Sequence, residues 1–247
     1  MMYKSTLKVL AGALSILCLS NAQAGITLGA TRMIFDAKNK EENITVRNEG
    51  NKPILLQSWL DDGQKDDGAV PFAVTPPLTK MAANGQQLLR VLYKGAGLPQ
   101  DRESVVWLSV QEIPTSVEGK NTLQIAVRQK IKVFYRPADL VGEVKDAPGS
   151  LQWQLEKGGK ALSVYNPSVY HVSMVQLMGE KPGDDNLIAE RFMISPGERK
   201  SFDVKNGSLN VGSEFSFRSI NDWGGQELYR TTLQSASSTT AKRSEAK

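Results

Sequence analysis

Short runs of alternating apolar and polar residues, separated by turn-rich breaks, recur along this chain, and no stretch of 12 or more residues carries a convincing period of 3.6. A period of two marks strands with one buried face. The pattern therefore excludes a helical core, limits helices to single turns and points to antiparallel sheets packed as sandwiches. One set of runs covers 26–35, 44–48, 54–60, 88–93, 105–112 and 122–135, with breaks such as Asn48-Glu49-Gly50-Asn51, Asp61-Asp62-Gly63 and Ala83-Asn84-Gly85. At Arg136-Pro137-Ala138 a proline removes a ladder donor and restricts the residue before it. Beyond the polar stretch 142–149 a second set follows, at 151–155, 161–165, 170–177, 200–204, 214–219 and 228–233. The expected organisation is all-β, with sandwich domains over 25–140 and 141–234. The tail 235–247, SASSTTAKRSEAK, lacks apolar content and is expected to be disordered.

The run NTLQIAVRQKIKVFYRP, residues 121–137, stands apart. Leu123, Ile125 and Val127 alternate with Gln124, Ala126 and Arg128, after which Lys130 and Lys132 enter the pattern before Val133, Phe134 and Tyr135. Read as one strand it is far longer than the usual five or six residues. Proteins usually blunt a long apolar edge with charge or proline. Its first half is unblunted, which suggests pairing by another chain and leaves self-association open. In the alternative reading, Leu123, Ile125 and Val127 fill their own domain's core.

Residues 1–24 read as a processing segment. Lys4 and Lys8 form a positive start, 9–19 is a short apolar core, and Ala22-Gln23-Ala24 places small residues before a cleavage point at Gly25. The apolar core is too short to span a bilayer, although an uncleaved anchor is the alternative. Leu17 stands where a lipoprotein signal wants a small residue before Cys18. Cys18 is the single cysteine, so the mature chain must be held by burial alone, without disulfides. A Cys-centred site is impossible, any His-dependent triad would need His171, the single histidine, and no cofactor or metal is expected. Removing 1–24 takes two of the 30 basic residues and none of the 26 acidic ones, leaving a net charge of +2. No basic stripe supports a nucleic-acid or anionic-membrane role.

Several motifs stand in order behind the leader: Gly25-Ile26-Thr27-Leu28 with Thr31-Arg32, Thr75-Pro76-Pro77, Leu98-Pro99-Gln100-Asp101-Arg102-Glu103-Ser104, Glu112-Ile113-Pro114, Lys132-Val133-Phe134-Tyr135-Arg136-Pro137, Asn166-Pro167 and Ile220-Asn221-Asp222-Trp223-Gly224. Together they resemble the periplasmic chaperones of the chaperone-usher pathway, which assemble bacterial pili. The resemblance implies two immunoglobulin-like β-sandwich domains set at an angle, with a cleft between them. It also implies a periplasmic, non-enzymatic protein that caps pilus subunits and passes them to an outer-membrane usher. The short connection between Glu112 and Thr122, with no cysteine pair around it, resembles the short-loop branch, associated with rod-like pili.

Arg32 shares parity with Ile26, Leu28, Ala30 and Ile34, so an unbroken strand would turn its guanidinium toward the core, where an unpaired charge is costly. It either snorkels out, pairs internally or awaits an anion. Lys132, beside Ile131, Val133 and Phe134, raises the same question. In the resembling family the matching Arg and Lys hold the subunit's terminal carboxylate, and Leu123, Ile125 and Val127 match the strand lent to the subunit. Lys132 is even-numbered and the apolar three are odd, so a bulge or strong twist is expected between them if all face one partner. Glu103, Arg136 and Asp222 match a buried ionic link between domains; from the residues alone they could be unrelated surface charges. His171 is expected to be structural, and Asn166-Pro167 a turn. A pilus or adhesin subunit is the alternative function, although the absence of a disulfide and of a donor extension argues against it. A hydrolase built on Asp61, Asp62, Asp101 and Glu103 has no supporting motif.

Overall fold

The computed structural model describes residues 25–64, 69–114, 125–179, 187–204, 209–234 and 238–244. The first domain holds β1 (Ile26–Leu28), β2 (Arg32–Asp36), β3 (Glu41–Asn48), β4 (Ile54–Asp61), β5 (Phe72–Thr75), β6 (Leu78–Met81), β7 (Gln86–Tyr93), β8 (Ser104–Pro114) and β9 (Arg128–Arg136). The second holds β10 (Gln152–Glu156), β11 (Ala161–Tyr165), β12 (Val172–Met178), β13 (Leu187–Ile194), β14 (Arg199–Asp203), β15 (Glu214–Ile220), β16 (Gln226–Thr232) and β17 (Lys242–Arg243). Among the described residues its one α-helix is the single turn Ala147–Ser150. Sheet orders are β1-β3-β7-β5 against β2-β9-β8-β4-β6, and β10-β11-β14 against β13-β12-β15-β16-β17. Each pair encloses its own core. Phe35 packs against Phe72, Tyr93 and Tyr135 in the first, and Trp153 against Phe215 and Phe217 in the second.

The opening run 26–35 is two strands. β1 pairs antiparallel with β3, and β2 pairs parallel with β9 in the opposite sheet. The crossing at 29–31 resets the alternation. Met33 and Phe35 become the buried residues, and Arg32 and Ile34 take the outer face. Arg32 therefore does not point into the core of its domain.

Among the described residues of the long run, Arg128–Arg136 is the strand. Its register with β8 is unbroken from Tyr135 opposite Ser104 to Arg128 opposite Gln111. No bulge lies there: Ile131, Val133 and Tyr135 point inward while Lys132 points outward. β2 begins at Arg32, opposite Lys132, so before Lys132 β9 is flanked, among the described residues, by β8 alone. Upstream, 125–127 lies in no strand, and Glu112 N–H donates to the Val127 carbonyl (3.0 Å). Ile125 is 65% exposed and Val127 39%. Leu123 and the connection 115–124 lie outside the described residues.

The tail is corrected for 238–244. Thr239 exchanges backbone hydrogen bonds with Trp153 (2.8 Å each way), Ala241 is buried, and β17 pairs with β16. Edge pairing uses backbone groups and needs few apolar side chains, so composition did not foretell it.

Candidate functional site

Parallel pairing of β2 with β9 sets Arg32 opposite Lys132 on the outer face of the sheet. The Arg32 guanidinium reaches across to the second domain and donates from Nη1 to the Ile220 carbonyl (3.0 Å). Its Nε is buried without a hydrogen-bond partner, and its Cζ lies 5.7 Å from the Phe134 ring centre. Lys132 Nζ sits 4.8 Å from the Trp107 ring centre. Among the described residues, neither cation has a carboxylate within ion-pair distance. Their neighbours on β9 are paired: Lys130 with buried Asp61 (2.9 Å), and Arg136 with two carboxylates. Burial pushes both unpaired groups below their ordinary pKa. For Arg32 the charges of Asp222 and Glu103 partly offset this, whereas for Lys132 the charge of Arg32 adds to it. An anion placed between these two partly buried cations, which share one register position, would be held by both.

Glu103, Arg136 and Asp222 meet between the domains. Arg136 donates to Glu103 Oε1 from Nε (3.1 Å) and Nη2 (2.8 Å), and to Asp222 from Nη1 (2.8 Å) and Nη2 (3.2 Å). Burial works to lower the Arg136 pKa, but these bonds and the two carboxylate charges outweigh it and hold it above its ordinary value. Sequence reasoning missed His171 here. Its backbone N–H donates to Glu103 Oε2 (2.8 Å), and its Nδ1 lies 3.0 Å from the same oxygen. Glu103 N–H also donates to the Val169 carbonyl (2.9 Å), and Tyr170 lies under the Arg136 guanidinium. A histidine that follows a tyrosine on a strand carries no mark of such a partner; only the approach of the two domains reveals it.

A cavity of about 250 Å³ opens between the domains, lined by Arg32, Phe134, Arg136, Glu143, Ile220 and Trp223. The turn after β15 forms one lip. Gly224, at φ 84°, packs so close to Thr31 that a Cβ there would sit 2.6 Å from its Oγ1. Asp61, imagined as half of a catalytic pair, is instead held by Lys130 and by the Gly63 N–H. No cluster of three potential metal ligands occurs among the described residues.

Two β-sandwiches joined by an ionic link, with Arg32 and Lys132 side by side next to it, define a two-domain β-sandwich protein. The first domain matches the Pili and flagellar-assembly chaperone, PapD N-terminal domain, over 25–141, and the second the Pili assembly chaperone PapD, C-terminal domain, over 146–231. The probable fimbrial chaperone LpfB of Escherichia coli O157:H7 is 39% identical over 224 residues, 88% of this chain and 92% of that protein. The chaperone protein FimC of Escherichia coli K12 is 34% identical, over 89% of this chain and 90% of its own. Among solved structures, the YadV chaperone matches at TM-score 0.73 and 34% identity, covering 85% of this chain and all of the other. A chain from the complex of the Salmonella enterica SafA pilin with the SafB chaperone matches at 0.74 and 28%, covering 87% and 99%. The chain belongs to the PapD family of pilus assembly chaperones, and a chaperone role in pilus assembly, rather than that of a structural subunit, is its function.

Proposed function

We propose that this protein works in the periplasm, after cleavage between Ala24 and Gly25, and holds each pilus subunit by lending it a strand while gripping the subunit's C-terminal carboxylate. The observation that carries this reading is the Arg32–Lys132 pair at the point where the β9 edge opens. A carboxylate between them would replace water with charge-assisted hydrogen bonds from a guanidinium fork and an ammonium. It would thereby set the register of the subunit along 125–131. Strand addition of this kind, of which chaperone–pilin donor-strand complementation is a recognised case, draws affinity from backbone bonds and specificity from alternate side chains. Burying Ile125 and Val127 in a groove of the subunit would contribute about 3 to 6 kcal/mol before ordering costs; Leu123 is proposed as the next residue of the series.

Glu103, Arg136 and Asp222 set the relation of the domains and hence the width of the cleft. They act through geometry more than net stability, since desolvation opposes their attraction. Delivery to an outer-membrane usher, and membership of the short-loop branch, follow as parts of the same proposal. The test is affinity purification from periplasm of wild-type protein and of R32A and K132A. Pilus subunits are expected with the wild type and not with either variant. Equal recovery with all three would count against the anchor.

A further inference from the structure

β8 turns Val106, Leu108, Val110 and then Glu112 inward. Glu112 is 7% exposed, and its Oε2 is buried with no hydrogen-bond partner. A carboxylate at a core position is costly unless something answers it. What lies against it is the backbone of Gly25. A Cβ on that glycine would stand 1.9 Å from Oε2 and 2.3 Å from Oε1. The Cβ position and the nitrogen of one residue are about 2.5 Å apart, so the Gly25 nitrogen lies within about 4.4 Å of Oε2. Gly25 is also fixed in place. Its carbonyl accepts from Glu49 N–H (3.0 Å), and the next carbonyl, Ile26, accepts from Gln129 Nε2 on β9 (2.7 Å).

We infer that Glu112 receives the α-ammonium group that removal of residues 1–24 creates at Gly25. Before cleavage the Gly25 nitrogen is an amide carrying one proton and no charge. Afterwards it is an ammonium with three donors beside a carboxylate that lacks one. The side chains that the described neighbouring elements turn toward this place are uncharged. β4 sets Leu56 opposite Glu112, β9 turns Gln129 inward, and β3 turns Asn48 inward, bonded to the Lys52 and Ala82 carbonyls. By alternation Arg128 and Lys130 of β9 and Arg47 of β3 lie on outer faces, and Glu49 is engaged by Thr27 Oγ1 (2.8 Å). Burial alone pushes the Glu112 carboxyl above its ordinary range, the strain that the ammonium relieves. Glu112 N–H holds the Val127 carbonyl, so the pair also braces the start of the open edge. The inference rests on the proposed cleavage point but not on subunit binding.

The experiment exports the full chain with its leader and purifies the mature product, whose intact mass must begin at Gly25; another start would overturn the inference. Modification of the α-amine by 2-pyridinecarboxaldehyde is then followed against pH in the wild type and E112Q. A paired ammonium titrates above the ordinary 7.7 to 8.0, by about one unit, so at pH 7 the wild type should react about tenfold more slowly than E112Q. Burial without a partner would lower that value instead, so a wild-type α-amine titrating at or below its ordinary range would overturn the inference, even if E112Q does not fold. Equal profiles for the two proteins would do the same. Because the amine's folded pKa is raised, the pair's stabilisation is full from the pH at which the Glu112 carboxyl is ionised up to about pH 8, and is lost as pH rises through about 9. The gap between the urea midpoints of the two proteins should close over that window.

Discussion

Arg32 and Lys132 face each other across the parallel pairing of β2 and β9, each partly desolvated and neither matched by a carboxylate among the described residues. The same register marks where the β9 edge loses its second neighbour. An anion bound there would therefore also fix where a strand added to that edge starts.

Removing either cation should leave the free protein folded, since each is poorly compensated where it sits. Hydrogen bonds to charged groups are worth about 1.5 to 3 kcal/mol, so R32A or K132A should weaken subunit binding by about 10- to 150-fold. Titration calorimetry with a purified subunit, beside urea unfolding of the free variants, checks both halves.

Ile125→Asp should reduce subunit affinity by at least about tenfold, through loss of burial and the cost of desolvating a new charge. Because Ile125 is 65% exposed, the melting temperature of the free chaperone should barely move. A matching loss of thermal stability would return this residue to the internal core.

Arg136→Ala strands the buried Glu103 carboxylate and removes the Asp222 contact. A cost of about 3 to 5 kcal/mol in denaturant unfolding is expected. Asp222→Ala should cost less, since that carboxylate is nearer to water. It should still change the small-angle scattering profile, which would stay the same if the link did not position the domains.

Lys132 has a lowered pKa in the free protein, chiefly from burial and then from Arg32. A bound carboxylate raises it, so binding takes up protons as pH approaches the free-state value. Affinity should fall with rising pH in the alkaline range below 10.5, and K132R should flatten that decline. In the free protein the sign is opposite: folding stability rises over the same range, because the unfolded chain holds that proton more tightly.

Alternation revealed most strands and both domains because sandwich strands show it directly. It failed for β5 and β6, four residues each and separated by Pro76 and Pro77, and for β13. The sheet crossing after β1 was hidden because Ile26, Leu28, Ile34 and Arg32 keep one parity through it, and changing partner sheets leaves no trace in that count. Arg32 and Lys132 stood out as charges set among apolar residues, with the family resemblance naming their use. Their opposition was not legible, because it is a pairing between strands a hundred residues apart. No bulge interrupts β9 between Arg128 and Lys132, whose side chain takes the outer face, while Ile125 and Val127 precede the strand.

The most direct test uses a peptide copying the C-terminal strand of a pilus subunit, made with a free carboxylate and with a terminal amide, against the wild type and the R32A/K132A double variant. The amide should bind the wild type at least about tenfold more weakly than the acid, while the double variant should bind the two alike. Equal binding of acid and amide by the wild type would contradict a carboxylate held by Arg32 and Lys132.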